Sequence, residues 1–272
     1  MDFISLGSGS SGNCYFLIYN NQTLLIDLGL GIRTFKKRCD EYGLSLGKIK
    51  GILVTHNHVD HTKGVAKLSN EFHIPVYTTE AVHTGMQNHV YLPQKIALPN
   101  RQIIRHDEPL QVGPFTITAF GVPHDSMGNN GFFIEVDDLK FCLITDMGYA
   151  TDDVKTYVGK ANHLVIESNY DDEMLNKGPY PMMLKRRIKG RYGHHSNVDT
   201  ADLLVNHLNR DLIQNIWLCH LSEENNTPQL ALDTIKQALI QAKYDVDNAL
   251  HIEALPRTSP SRWFRVGGGG KS

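Results

Sequence analysis

Apolar positions along the chain fall into short, strand-length runs separated by turn residues. Phe3-Ile4-Ser5-Leu6 opens the sequence as an apolar strand. Residues 13–19 (Asn-Cys-Tyr-Phe-Leu-Ile-Tyr) predict a second strand, Asn20-Asn21 a turn, and residues 23–26 a third strand ending at Asp27-Leu28-Gly29. Residues 31–42 then predict a helix with Arg33, Lys36, Lys37 and Arg38 on a basic face. The β-branched run 49–55 predicts a buried strand, followed after a polar cluster by a helical stretch to about Phe72. Further strands are predicted at 75–78, 115–121, 131–136, 140–145, 163–167 and 215–219, and helices at 196–209 and 228–242. Strands come first in meander-like groups and later alternate with helices. That order predicts an α/β protein of four layers, two mixed sheets face to face with helices outside. No internal repeat or Pro/Gly/Ser-rich linker divides the chain, so residues 1–266 are expected to form one domain, with 267–272 a flexible C-terminal tail.

Composition changes this picture little. Of 272 residues, 41% are apolar and 21% charged, an ordinary globular balance. No run approaches the roughly 18 apolar residues that span a membrane. Met1-Asp2 leads directly into the first strand with no basic leader region, so a cytoplasmic protein with no membrane partner is expected. Cys14, Cys39, Cys142 and Cys219 are scattered and form no CxxC pair, which predicts small buried apolar residues. The net charge of −2 argues against wholesale electrostatic capture of nucleic acid but leaves room for a local basic patch. The Gly-rich end is not a phosphate loop: Arg265 stands where the loop's first glycine belongs, and no helix follows. Histidine is the informative count, with 14 residues, many placed where the chain should change direction.

The strongest chemical signal is Thr55-His56-Asn57-His58-Val59-Asp60-His61, directly after a predicted buried strand. His56 and His58 can converge on one ion from a tight loop, and Asp60 and His61 can turn toward a neighbouring one. Without metal, so dense a set of buried polar groups would be costly. Imidazole and carboxylate donors suit zinc, manganese or iron.

This motif resembles the H-x-H-x-D-H signature of the metallo-β-lactamase superfamily. The resemblance implies further ligands at the ends of later strands, and candidates occur in order: His124 in Pro123-His124-Asp125-Ser126, Asp146 after Phe141-Cys142-Leu143-Ile144-Thr145, and His220 after Ile216-Trp217-Leu218-Cys219. By the family pattern His56, His58 and His124 hold one metal, Asp60, His61 and His220 a second, and Asp146 bridges them. Asp27 matches another family element and is expected to orient a ligand histidine from behind. If His220 points at metal, Cys219 should face the core.

Two divalent ions about 3.5–4 Å apart lower the pKa of a bridging water, deliver hydroxide at neutral pH and neutralise charge on the attacked group. Asp60 would orient that hydroxide. The fold does not choose the substrate. Lactamases of the superfamily generally lack the bridging aspartate that Asp146 supplies here. Glyoxalase II shares the ligand set, so a thioester hydrolase stays open, as do a small-molecule phosphodiesterase and a regulatory module that binds metal without turnover. Two segments favour phosphodiesters. Ile166-Glu167-Ser168-Asn169-Tyr170-Asp171 ends a strand in a carboxylate. Gly193-His194-His195-Ser196-Asn197 leads into a helix, with Ser196 as N-cap and Asp199 completing a capping box, an end suited to a phosphate. A Glu167–His194 pair would protonate the leaving oxygen; which of His194 and His195 faces the site is open. Lys185, Arg186, Arg187, Lys189 and Arg191 either line a solvated helix face or contact backbone phosphates. Trp263 and Phe264, among Arg257, Arg262 and Arg265, either stack a base or pack on the body.

These segments resemble transfer-RNA 3′-processing enzymes and the ribonuclease J and cleavage-factor nucleases, although too few residues lie between Asp146 and His220 for the cleavage-factor insertion. Over the whole chain the similarity is to the bacterial WalJ/YycJ-like group. It is carried by Ser8-Gly9-Ser10-Ser11-Gly12-Asn13, the His56 motif, the Glu167 and His194 segments, and His220-Leu221-Ser222-Glu223-Glu224-Asn225-Asn226. The resemblance implies a dinuclear metal-dependent phosphodiester hydrolase, a 5′→3′ DNA exonuclease with a role in DNA repair. Nucleic acid, DNA ahead of RNA, would be its partner.

Overall fold

The short apolar runs pair into two seven-stranded sheets in a computed structural model, which describes residues 1–267. In the first sheet, β1 (Asp2–Gly7), β2 (Cys14–Tyr19) and β3 (Gln22–Ile26) form an antiparallel meander. β4 (Ile49–Leu53), β5 (Val76–Thr78) and β6 (Arg101–Ile103) extend it in parallel. Asn20 and Asn21 both take positive φ (47° and 60°), the twist that a two-residue hairpin turn requires. In the second sheet β7 (Leu110–Val112), β8 (Phe115–Gly121), β9 (Asn130–Val136) and β10 (Leu139–Ile144) are antiparallel. β11 (His163–Glu167), β12 (Asn215–Cys219) and β13 (His251–Ala254) continue it in parallel. β14 (Phe264–Arg265) returns to pair with β1 at the edge of the first sheet.

Alternation along the strands sorts side chains into three cores. Phe3, Tyr15, Leu24 and Ile26 meet Phe132, Phe141, Leu143 and Trp217 between the sheets. Their neighbours Cys142 and Ile144 point outward against α5 (Asp152–Lys160), α8 (Asn197–His207) and α9 (Pro228–Gln241). On the other side Phe16, Leu25 and Ile52 pack under α1 (Ile32–Glu41), α3 (Val65–Phe72) and α4 (Glu80–Asn88). The result is the four-layer arrangement of two mixed sheets flanked by helices. All four cysteines are buried and free, and Cys219 lies in the inter-sheet core, on the side opposite its neighbour His220.

Some elements depart from the sequence pattern. The helical stretch after the histidine motif is two pieces, α2 (Val59–Thr62) and α3, hinged at Gly64. A Cβ at Gly64 would lie 2.7 Å from the Leu28 side chain, so the chain can press against the β3 exit only there. The helices α4 and α5, with α6 (Asp172–Lys177) and α7 (Met182–Ile188), are not among the predicted elements; each is only six to nine residues long. The expected tail falls outside the described residues apart from Gly267. Among the described residues, no helix is long and apolar enough to cross a membrane.

Candidate metal centre

Strands from both sheets end at one rim, and the histidine motif hangs from β4 there. Its backbone is clamped: Asn13 N–H donates to Asp60 O at 2.8 Å, and Leu28 N–H to His61 O at 2.8 Å. A Cβ at Gly29 would fall 1.6 Å from Asp60 O, so this approach requires glycine. From the second sheet come His124 after β8, Asp146 after β10, Glu167 at the end of β11 and His220 after β12. Asp27, Asp146 and His220 all take left-handed backbone conformations, φ 56°, 54° and 54°, as their strands turn away. Such strain in non-glycine residues collects at functional sites.

The donor atoms form overlapping groups, each with its members within 4.8 Å of one another: His56, His58 and His124; Asp60, His61 and His220; and His56, His61 and Asp146. Asp146 lies between the first two, with Oδ2 3.1 Å from His61 Nε2 and Oδ1 3.6 Å from both His124 Nε2 and His220 Nε2. Outer partners fix each ring. Asp27 Oδ2 accepts from His61 Nδ1 at 2.7 Å and from Thr55 Oγ1 at 2.8 Å, while its Oδ1 accepts Thr55 N–H. Gly193 O accepts from His124 Nδ1 at 3.0 Å, and Glu167 Oε1 from His220 Nδ1 at 3.1 Å. Each of these three imidazoles therefore turns its Nε2 inward, as a metal-ligating histidine does.

Whether these residues fit metal is answered by their chemistry. His220 Nε2 is buried and has no hydrogen-bond partner, an orphan that a metal ion would satisfy. Burial, reinforced by mutual repulsion, lowers the pKa of His56 and His58 and holds their rings neutral; burial also lowers that of His124. Neutral imidazole is the ligating form. Asp146 stays ionised although burial opposes it, because His220 and His61 outweigh the desolvation. Conversely, burial disfavours charge on His61, yet Asp146, Asp27 and Asp60 raise it to about 10. Buried carboxylates thus demand positive charge at the place the histidines surround. The donor set fits divalent metal.

Beside this cluster, Glu167 and His194 form the expected pair, with Nδ1 and Oε1 2.7 Å apart. Glu167 is fully buried, and its Oε2 accepts the backbone N–H of Met147 at 2.8 Å and of His195 at 3.2 Å. Burial would raise its carboxyl, but His194 reverses this and holds it down at about 2. His194 is the ring that faces the cluster, its centroid 5.1 Å from that of His124; His195 is turned toward Thr200.

The proposed substrate contacts are placed less uniformly. The capping box of α8 forms, but Ser196 is 1% exposed and its hydroxyl donates to Asp199, so this helix end is sealed by the chain itself. Lys185 Nζ donates to the carbonyls of Asn176 and Gly178, Arg187 pairs with Asp125 and Lys189 with Asp172. Arg186 is exposed on α7, and Arg191 stacks on Tyr149 at 4.7 Å. Phe264 packs on Phe3 and Trp217, away from the cluster, and so serves the body of the fold, whereas Trp263, expected to pack there, is 40% exposed. Sequence reasoning missed the carbonyl of Gly193 and the side chain of Asn169, whose Nδ2 donates to His220 O at 2.7 Å.

Comparison with known proteins agrees with this geometry. The profile of the beta-lactamase superfamily domain matches residues 22–211. The chain is 33% identical over 262 residues to exodeoxyribonuclease YycJ of Bacillus anthracis, covering 96% of this chain and 98% of the relative. This chain belongs to the metallo-β-lactamase superfamily, within its WalJ/YycJ group. It is also 35% identical to exodeoxyribonuclease WalJ of Streptococcus pneumoniae, over 89% of each chain. Among solved structures, the metallo-β-lactamase fold protein YhfI from Bacillus subtilis superposes with a TM-score of 0.70 at 16% identity, covering 96% of this chain and all of that one. Superfamily membership and the donor clusters together indicate use of divalent metal.

Proposed function

We propose that this protein is a dinuclear metal-dependent nuclease that degrades DNA from the 5′ end. The observation that carries the phosphodiester reading is the buried Glu167–His194 pair, 2.7 Å apart beside the metal donors. Hydrolysis of a thioester releases a thiolate that needs no proton, whereas an alkoxide leaving from phosphorus does. The exodeoxyribonuclease names of two relatives sharing a third of their residues supply the substrate class.

His56, His58 and His124 would hold one ion, Asp60, His61 and His220 the other, with Asp146 shared. When bound, the two ions supply Lewis-acid neutralisation of the phosphate and a water acidified enough to attack near neutral pH. The chain's own residues do the rest. Asp60, whose side chain is 24% exposed, would accept a hydrogen bond and orient the attacking water. Burial opposes a proton on His194, but Glu167 raises its pKa and so favours the protonated ring. His194 donates it to the departing oxygen, and Glu167 stabilises the imidazolium until then. Glu167 is itself fixed by two backbone N–H groups, so the pair does not drift. Arg186 and Arg191 are exposed and would meet backbone phosphates, while Lys185 and Arg187 brace α7. Ser196 would position the Glu167 and His194 segments through its cap.

The test is incubation of zinc- or manganese-loaded protein with 5′- and 3′-labelled single-stranded and duplex DNA and RNA, alongside Asp146→Ala. Metal-dependent release of 5′ nucleotides from DNA, absent in the variant, is the expected result. Hydrolysis of a thioester with no cleavage of any nucleic acid overturns the reading.

A further inference from the structure

The rim of the cluster on the His58 and His124 side carries an aromatic surface that the chemistry above does not use. An open pocket of about 470 Å³ lies there, lined by Asn57, His58, His124, Asp125, Met127 and Tyr192. Its volume is within the ~300–1,000 Å³ of small-ligand sites. Two of its lining residues belong to the metal donors, so whatever enters it adjoins the reacting centre. Tyr192 and Met127, which supply its large apolar surface, are 53% and 51% exposed. Asp125 is the carboxylate in the lining, and its charge is answered by Arg187.

Tyr192 is not a loose surface ring. Tyr149 meets it edge-on, with centroids 6.3 Å apart, and Arg191 stacks on Tyr149. The turn that carries Tyr149 follows Asp146 by three residues. At Gly148 of that turn a Cβ would lie 2.2 Å from Arg191 O and 2.7 Å from Tyr192 Cα, so the two segments are in direct backbone contact. On its other side Tyr192 adjoins Gly193, whose carbonyl orients His124. The ring is therefore held in register with the donors by two short tethers, one to Asp146 and one to His124. Opposite, the N–H of Met127 is pinned to Asn57 Oδ1 at 3.1 Å, in the histidine motif itself.

We propose that this pocket is a nucleobase subsite: Tyr192 stacks the base beside the scissile phosphate, with Met127 as the second apolar wall. The proposal rests on the nuclease reading above. A flat π-face offered by a rigid ring, with a polarisable thioether nearby, binds any base without reading its identity. A base can reach the ring only after leaving its neighbours in the helix, so the subsite selects unpaired ends and demands fraying of paired ones.

The experiment compares kcat/KM on a single-stranded oligonucleotide with that on the same strand carrying a tetrahydrofuran abasic residue at the terminal position. Wild type, Tyr192→Ala and Tyr192→Phe are each loaded with metal. Loss of one stacked base corresponds to roughly 5- to 150-fold. The wild type is expected to lose such a factor on the abasic end. Tyr192→Ala should lose the same factor on the base-bearing end, mainly through KM, and lose no more on the abasic end. Tyr192→Phe should keep the wild-type pattern. If Tyr192→Ala slows both ends by equal factors, or neither, the subsite is refuted while the nuclease stands. If wild-type protein cleaves neither end with any metal, the nuclease reading itself falls.

Discussion

Asp27 is not among the grouped donors, yet its two oxygens hold Thr55 and His61, so it is expected to govern metal affinity. Consider Asp27→Asn, which keeps shape and volume. Oδ1 accepts Thr55 N–H at 2.8 Å, so the amide oxygen must stay there, since an amide N–H₂ facing a backbone N–H would leave two buried donors opposed. The N–H₂ group then takes the place of Oδ2, 2.7 Å from His61 Nδ1. A donor there forces His61 into the tautomer protonated on Nε2, the nitrogen turned toward Asp146 and the metal cluster. Recovering the ligating form costs the donor clash, on the order of 1–3 kcal/mol for an unsatisfied buried donor. Metal affinity should therefore fall about 10- to 100-fold, equivalent to ~1.4–2.8 kcal/mol and in keeping with losses seen when such outer partners are removed. The assay is competition between protein and a chromophoric zinc chelator, with folding checked by circular dichroism. A cycle with His61→Ala separates the mechanism from general damage: once His61 is gone, Asp27→Asn should cost nothing further. Unchanged zinc affinity in a folded Asp27→Asn protein, or an equal loss with and without His61, refutes the tautomer argument.

His194→Ala should retain metal, because Glu167 keeps its bonds to His220, Met147 N–H and His195 N–H, while kcat on DNA drops about 10²- to 10⁴-fold. The loss should largely vanish on a p-nitrophenyl phosphodiester, whose leaving group needs no proton; an equal loss on both substrates would contradict a proton-donor role. Gly29→Ala places a methyl 1.6 Å from Asp60 O and must displace the motif backbone, so metal content and melting temperature should fall together; a variant that matches wild type in both would show the contact is soft. His163 lies at the far end of β11, and burial pushes its pKa down to about 4. Below about pH 6.5 the unfolded chain takes up a proton that the folded one refuses until about pH 4, so stability is complete above 6.5 and is lost as pH falls. The span corresponds to roughly 3 kcal/mol. Denaturant midpoints of His163→Phe should therefore decline less between pH 6.5 and 4 than those of the wild type, and parallel curves would speak against it.

The fold was readable where one physical cause dominates. Continuous apolar runs such as 163–167 and 215–219 mark strands buried on both faces, and β11 and β12 occupy those bounds. The grouping of the candidate donors was equally plain, because dense ligand-type residues after a strand have few other uses. What stayed hidden depends on partners distant in sequence. Five cations between Lys185 and Arg191 looked alike, yet Lys185 is spent on two carbonyls and Arg187 on Asp125. Ser196 had the right cap signature, but its burial was decided by the bridge between Tyr170 and Ser196, which links segments far apart in the chain. Tyr149 and Tyr192 carried no spacing signal at all; only the contact at Gly148 puts them together at the rim.

The donors come from both halves of the sandwich, His56 to His61 from the first sheet and His124, Asp146 and His220 from the second. Neither sheet alone can hold the cluster, and a nascent chain lacks a complete set until residue 220 has joined β12 to the rest. On the proposed reading, activity would be conditional on correct assembly: a truncated, nicked or misregistered chain would have no complete donor set. Metal held by donors from both sheets would act as a rivet between them, so binding that completes the centre would also stabilise the assembled fold.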